Sequence, residues 1–411
     1  MIRRAPVALL IAAWSATRAL MLWLLALDGH PLLGGGGVSR EVRQLYHHWY
    51  GVLSHGGFPV GDPLWQYPPG AGPVLLSPGL LPGLAYVHAF VVLVLAADVV
   101  ITAALVRAGT APTRSLRGAA YWIGGLPLLL HVPLARYDVQ VTALAVLALL
   151  ALPRSTRACG ALVALGGAGE GVAGAGPAGR AEGARGPDGL PVCGGDRHGR
   201  AHRTGPRPRP PAGLPAQPGR AGRADRVGRR RAALAGLARR LAGHGPLPVR
   251  VEFTGPYVSS VAHASLALTV GAFAMLLLWR ARARRWTPAT PYDAALCAVL
   301  LFTVTSRVIS PQYMIWLLGL SAVCLSSRHT AQRPVTALVA AATALSAVIY
   351  PVCYDEVMAG TWPGTALLVA RNALLLAAAA LSYVHLWRTT RPAPSFPGQQ
   401  QHPALTSPAG Q

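Results

Sequence analysis

Lysine is absent from this chain, asparagine occurs once, at Asn372, and only 14 residues are acidic against 37 that are basic. With 12% of 411 residues charged and 52% hydrophobic, the charged shell of an ordinary soluble globular protein is missing. The lack of Lys and near-lack of Asn is the bias expected of a GC-rich genome. Cysteine is also scarce. Cys159, Cys193, Cys297, Cys324 and Cys353 form neither a CxxC pair nor an even set, which argues against a zinc site and against a disulfide framework.

What the chain does have is a series of apolar runs near the ~20 residues that span a bilayer. They lie at 6–27, 84–106, 119–132, 139–152, 258–279, 294–308, 311–325, 334–350 and 364–387. These predict an all-α fold, a polytopic membrane helical bundle of about nine transmembrane helices, with an amphipathic helix in the first outer loop. A net charge of +23 would suggest nucleic acid in a soluble chain. Here the arginines fall largely between and after the apolar runs, as cytoplasmic loops require, so membrane lipids are the expected surroundings and no nucleic acid is expected. The first run follows Arg3 and Arg4 as a signal peptide would, but it lacks a clean small-residue cleavage site and reads as a retained helix.

Charge bias orients the runs in a cell membrane. With the N-terminus cytoplasmic, the 39–82 loop lies outside, and Arg107, Arg114 and Arg117 return inside. Arg154 and Arg157 and the cluster from Arg280 to Arg285 are both cytoplasmic, yet one clear run separates them where an even number is required. The segment 166–250 should hold the missing crossing. It contains no Phe, Trp, Tyr, Met, Ile, Ser, Asn or Lys, and its 16 arginines against 5 acids supply +11 of the net charge. Arginine at a helix centre costs about 2.5–3.5 kcal/mol on insertion scales, so this segment cannot cross as a helix. It reads either as a disordered basic cytoplasmic loop or as out-of-frame sequence between two compensating indels; composition and the missing crossing favour the second. The organisation is then an N-terminal membrane module over 1–165, the aberrant 166–250, a C-terminal membrane module over 251–387 and a disordered tail over 388–411.

The first outer loop carries the most chemistry. Val42, Leu45, Tyr46, Trp49, Val52 and Leu53 follow the spacing of an amphipathic helix, which would lie along a bilayer surface. Ser39 is its expected N-cap, placing Glu41 in the first turn, where the helix dipole favours a carboxylate. Gly56-Gly57, Asp62-Pro63 and Tyr67-Pro68-Pro69-Gly70 then turn the loop back to the membrane. Glu41, Asp62 and Asp138 all fall on the outer side, as does the turn holding Arg307, Ser310, Gln312 and Tyr313. Transfer of a sugar from a lipid phosphate needs one carboxylate to take the acceptor's proton. The departing phosphate is a stable anion, so a fixed Arg suffices for it. One base and one cation therefore make a minimal site, unlike the two carboxylates of glycoside hydrolysis.

At these residues the chain resembles glycosyltransferase family 87. The first-loop pattern of an acid, Tyr, Gly and a YPP turn is met by Glu41, Tyr46, Gly57 and Tyr67-Pro68-Pro69, and the SPQY string by Ser310 to Tyr313. The resemblance covers 1–165 and 251–387 and is absent from 166–250. It implies a GT-C-like membrane hexosyltransferase that takes mannose from a polyprenyl-phosphate-linked sugar donor on the extracytoplasmic face. The acceptor it implies is a lipid or cell-envelope glycan. The family usually has Asp at the position of Glu41; the extra methylene moves the carboxylate about 1.5 Å, compatible with the role. Glu41 and Asp62 are the catalytic candidates, and Arg307, Ser310, Gln312, Tyr313, Tyr46, Tyr67 and Asp138 the substrate-binding ones, with Arg307 on the carrier phosphate. No cofactor is called for. His47 and His48 are adjacent in a helix and point apart, so no metal is expected with them. Arg136 reads as an interfacial anchor. Asp98 and Arg371, inside apolar runs, should face a cavity or pair with each other. Rival readings are a transporter or flippase, for which the internal repeats are missing, and a catalytically inactive member of the family.

Overall fold

The computed structural model describes residues 4–30, 33, 37–59, 62, 64–65, 67–68, 70–155, 157 and 258–391. The readings of 166–250 and of the tail from 392 onward lie outside the described residues. The chain divides into two units, Met1–Ala173 with Pro248–Gln411 and Gly174–Leu247, and every described residue belongs to the first. Among the described residues there are no strands, only an isolated antiparallel bridge between Arg114 and Ser327.

In chain order the helices are α1 (Arg4–Ala26), α2 (His47–Ser54, continuing a π-helical turn over Glu41–Tyr46), α3 (Ala71–Leu76), α4 (Tyr86–Gly109), α5 (Arg117–Gly125) and α6 (Asp138–Ala151). After the undescribed stretch come α7 (Val258–Arg282), α8 (Thr290–Thr305), α9 (Tyr313–Ser326), α10 (Arg333–Ala347), α11 (Tyr354–Met358) and α12 (Trp362–Thr390). Among the described residues, five stretches are long and apolar enough to cross a membrane: Ala5–Ala26, Tyr86–Gly109, Ser259–Arg282, Arg333–Val352 and Trp362–Thr390. The shortest of them rises about 30 Å at ~1.5 Å per residue. Leu266, Leu268 and Val270 of α7 are each 62% exposed, an arrangement that water penalises and lipid does not.

The other four expected runs form shorter helices: α5, α6, α8 and α9 have 9, 14, 16 and 14 residues. The 119–132 run is cut short because Pro127 and Pro133 start separate 3-10 turns, Leu126–Leu129 and Val132–Ala135; proline lacks the N–H that would continue the helix. Helix α9 is buried on most of its surface and packs against α5 and α6. Glycine permits both approaches: a Cβ on Gly118 would strike the Ala322 carbonyl and Ser326, and one on Gly319 would strike the Thr142 methyl.

The charge inside α4 has a partner other than the expected one. Asp98 receives Arg18 Nε at 2.8 Å and Arg18 Nη2 at 2.7 Å from α1, the Trp14 indole at 2.7 Å and the Trp122 indole of α5 at 2.7 Å. Arg18 Nη1 also donates to the Ile123 carbonyl at 2.8 Å. Both charges are nearly fully buried, so the bidentate pair and its two indole donors offset the desolvation of each carboxylate oxygen. Arg371 of α12 does not pair with Asp98; its Nη1 donates to the Ile309 carbonyl at 3.2 Å.

Candidate active site

The first loop is fastened at its start by a buried acid. Ser39 N–H donates to Asp28 Oδ2 at 2.8 Å, and His131 Nε2 lies 3.2 Å from Asp28 Oδ1. Burial pushes the Asp28 carboxyl up, but the hydrogen bonds from His131 and Ser39 outweigh it and hold the carboxyl well below its ordinary 3.8. Ser39 is not the N-cap: its Oγ accepts from the Arg43 guanidinium at 3.2 Å, and the helix start carries no side-chain cap. The serine is committed on both sides, its N–H to Asp28 and its hydroxyl to Arg43.

From Glu41 to Tyr46 the backbone is π-helical, a widened turn often found at functional sites. Val42, Tyr46 and Trp49 are buried, the face that the periodicity marked. That face rests on protein and not on a bilayer surface. The Tyr46 ring meets Tyr67 at 5.6 Å, Phe90 of α4 at 5.4 Å and Tyr137 at 6.0 Å, while Trp49 meets Trp65 edge-on at 5.2 Å. Aromatics in the returning half of the loop cover the helix, since edge-to-face rings pack more favourably with one another than against water.

At the exposed margin of this aromatic cluster stands Glu41. Its Oε1 accepts the Tyr67 hydroxyl at 2.9 Å, and its Oε2 pairs with Arg136 Nη1 at 2.8 Å. The Glu41 side chain keeps 26% of its surface exposed against 9% for Arg136, so the carboxylate can meet a ligand while its partner is held behind it. Arg136 also donates to the Ala135 carbonyl at 2.9 Å. Burial pulls the Arg136 guanidinium down, but Glu41 and the surrounding tyrosines outweigh it and raise it above its ordinary value, so it stays charged. Burial, then the Glu41 charge and hydrogen bond, raise Tyr67 well above 10.0, which keeps its hydroxyl a donor. The Tyr46 hydroxyl is raised in the same way, chiefly by burial.

Asp138, the first residue of α6, is 1% exposed, and neither of its carboxylate oxygens has a hydrogen-bond partner. Trp316 of α9 brings its indole beside this carboxylate, yet Trp316 Nε1 also completes no hydrogen bond. Tyr313 stacks on Trp316 with ring centroids 4.7 Å apart. The structure thus brings Glu41, Tyr46 and Tyr67 together with Arg136, and links Asp138 to Tyr313 through Trp316.

The remaining candidates stand elsewhere. Asp62 is exposed, and its Oδ1 accepts the Leu64 N–H at 2.9 Å, a local turn bond. Ser310 and Gln312 are half-buried, and their carbonyls receive the N–H groups of Tyr313 and Ile315 as α9 begins. Arg307 is exposed on the same turn, and among the described residues no hydrogen bond or ion pair engages its guanidinium. Sequence reading gave Arg136 only an anchoring role and did not single out Trp316. The one signal for Trp316 was its place three residues after Tyr313, where a helix brings side chains onto one face. Among the described residues, no three His, Cys, Asp or Glu side chains gather as a metal site would require.

No family model, no curated protein and no solved structure matches the chain. The arrangement itself offers a Glu41 carboxyl held by a guanidinium and a phenol, a buried Asp138 side chain without a hydrogen-bond partner, and an exposed arginine on a turn.

Proposed function

We propose that this chain is a membrane hexosyltransferase that moves a sugar, mannose by the family resemblance, from a polyprenyl phosphate to an extracytoplasmic lipid or cell-envelope glycan. The reading places the first loop and the turn at Arg307 both outside, which takes one crossing more than the nine apolar runs supply. The observation that carries it is the contact of Glu41 with Tyr67 and Arg136. The acid and the tyrosine of the YPP string in the first-loop pattern thereby meet at one partly exposed carboxylate.

In this reading Glu41 accepts the proton of the acceptor hydroxyl as its oxygen bonds to the anomeric carbon. The bond from that carbon to the phosphate oxygen breaks, the electron pair leaves with the polyprenyl phosphate, and the configuration inverts. In-line displacement puts acceptor and leaving group on opposite faces of the sugar. A guanidinium bonded to the base therefore serves the base, and a second cation must meet the phosphate. Arg307, charged and uncommitted, is the candidate for that second role.

The test is transfer of radiolabelled hexose from a polyprenyl-phosphate donor by the purified protein in lipid nanodiscs with an envelope lipid extract as acceptor. Label should move from the carrier into the acceptor fraction. Label that stays on the carrier at every pH and acceptor concentration contradicts the reading.

A further inference from the structure

We propose that the adjoining ends of α7 and α12 form a binding site for the headgroup of an anionic phospholipid, an assignment independent of the transferase reading. Arg280, Arg282, Arg284, Arg285, Arg388 and Arg391 are all exposed there. After α7 the chain passes the last residue of α12, and the N–H groups of Arg284 and Arg285 both donate to the Thr390 carbonyl at 3.0 Å. Trp279 Nε1 donates to the Thr390 hydroxyl, also at 3.0 Å. Six arginines from two helix ends are thus gathered about one buried threonine.

The described protein does not neutralise them. No acid occurs from 259 to 292 or from 357 to 391, and among the described residues no hydrogen bond or ion pair engages any of the six guanidiniums. Asp293, the next acid along the chain, is buried and accepts the Thr330 hydroxyl at 2.6 Å. Like charges so gathered repel one another, and an anion bound among them relieves the repulsion.

Two of the arginines are also oriented, which charge bias across a membrane does not require. Arg280 Cζ stands 4.8 Å from the Trp286 ring centroid, and Arg391 Cζ 5.1 Å from that of Trp387. A guanidinium laid over a ring face keeps the N–H groups at its edge free to meet a phosphate in bidentate fashion. Trp286 meets Trp279 at 5.9 Å, so the indole under Arg280 rests on the one bonded to Thr390.

The surroundings specify the anion. One turn before Arg280, Leu277 is 71% exposed, and Phe273 is 51% exposed one turn further back, so an apolar face runs from the arginines along α7. A phospholipid meets both features, with its phosphate among the arginines and its acyl chains on that face. Inorganic phosphate meets only the first. The exposed Trp286 then stands at headgroup level, where tryptophan is favoured.

The test uses the full chain in detergent and reads lipid binding by native mass spectrometry, with dioleoyl phosphatidylglycerol, dioleoyl phosphatidylcholine and inorganic phosphate as probes. Wild type should bind the phosphatidylglycerol at least tenfold more tightly than the phosphatidylcholine, whose acyl chains are the same. Arg280→Gln with Arg391→Gln should lose that preference, whereas Arg107→Gln with Arg117→Gln, which removes two exposed charges from α4 and α5, should keep it. Arg284→Gln with Arg285→Gln leaves the backbone bonds to Thr390 in place, should also lose the preference, and decides the matter if the first pair does not fold. No preference in wild type, or an equal loss when Arg107 and Arg117 are changed, overturns the site. Inorganic phosphate that displaces the lipid at equal concentration overturns the phospholipid as its occupant.

Discussion

Arg136 Nη1 stands 2.8 Å from Glu41 Oε2, so the carboxylate of the first loop is paired and aimed before any substrate is present. Tyr67 holds the other oxygen at 2.9 Å. Both oxygens are thus engaged, while the Glu41 side chain keeps 26% of its surface exposed. On the proposed reading Glu41 is the base, Arg307 meets the phosphate and the buried Arg18–Asp98 pair supports the helices.

Arg136→Gln should lower kcat about 100-fold, the scale of a ~1 Å misplacement of a catalytic group, while the KM for the donor changes little. Arg136→Lys should recover part of the loss. Steady-state kinetics with donor varied separate this from a phosphate-binding role, in which the donor KM would rise and kcat would hold.

Arg307→Ala should weaken donor binding by about 10- to 100-fold, the value of a lost hydrogen bond to a charged group at about 1.5–3 kcal/mol. Donor affinity measured directly, without acceptor, is the check. Unchanged affinity would remove Arg307 from the phosphate.

Cutting the buried pair between α1 and α4 should destabilise the fold. Arg18→Met alone leaves Asp98 charged and buried, which costs about 3–5 kcal/mol. The double variant Arg18→Met with Asp98→Leu should lose less than the two single changes summed, because no lone charge remains. Melting of the protein in detergent reports both.

Much of the helical scaffold was legible because apolar runs of bilayer length have few other uses. Asp98 was legible as an anomaly in such a run, but its partner was not. Arg18 lies in the first apolar run and finds Asp98 only after α1 and α4 come together, while the apolar-run arginine that drew attention, Arg371, turned out to bond a carbonyl. In the first loop, period 3.6 marked Val42, Tyr46 and Trp49 as one face. Periodicity says that a face is covered and not by what, so the choice between bilayer and protein depended on Tyr67, Phe90 and Tyr137, which are distant in sequence. Trp316 was hidden because a tryptophan in an apolar run looks the same whether its ring faces lipid headgroups or packs inside the protein.

Asp28 gives the loop a pH dependence. Its folded-state pKa lies below the ordinary 3.8, so its contribution to stability is complete at neutral pH and is lost as pH falls below about 4. Asp28→Asn should lower the melting temperature at pH 7 and flatten its decline below pH 4. Parallel curves for wild type and variant across that range would show that Asp28 does not fasten the loop.

The most direct measurement is hexose transfer from the polyprenyl-phosphate donor by wild type and Glu41→Gln, side by side in nanodiscs with melting temperatures matched. Wild type should transfer, and Glu41→Gln, which keeps the shape and the contact with Tyr67 but cannot take a proton, should be slower by about 10²–10⁴-fold. Wild-type turnover by Glu41→Gln would contradict Glu41 as the base, and no turnover by either protein would contradict the transferase itself.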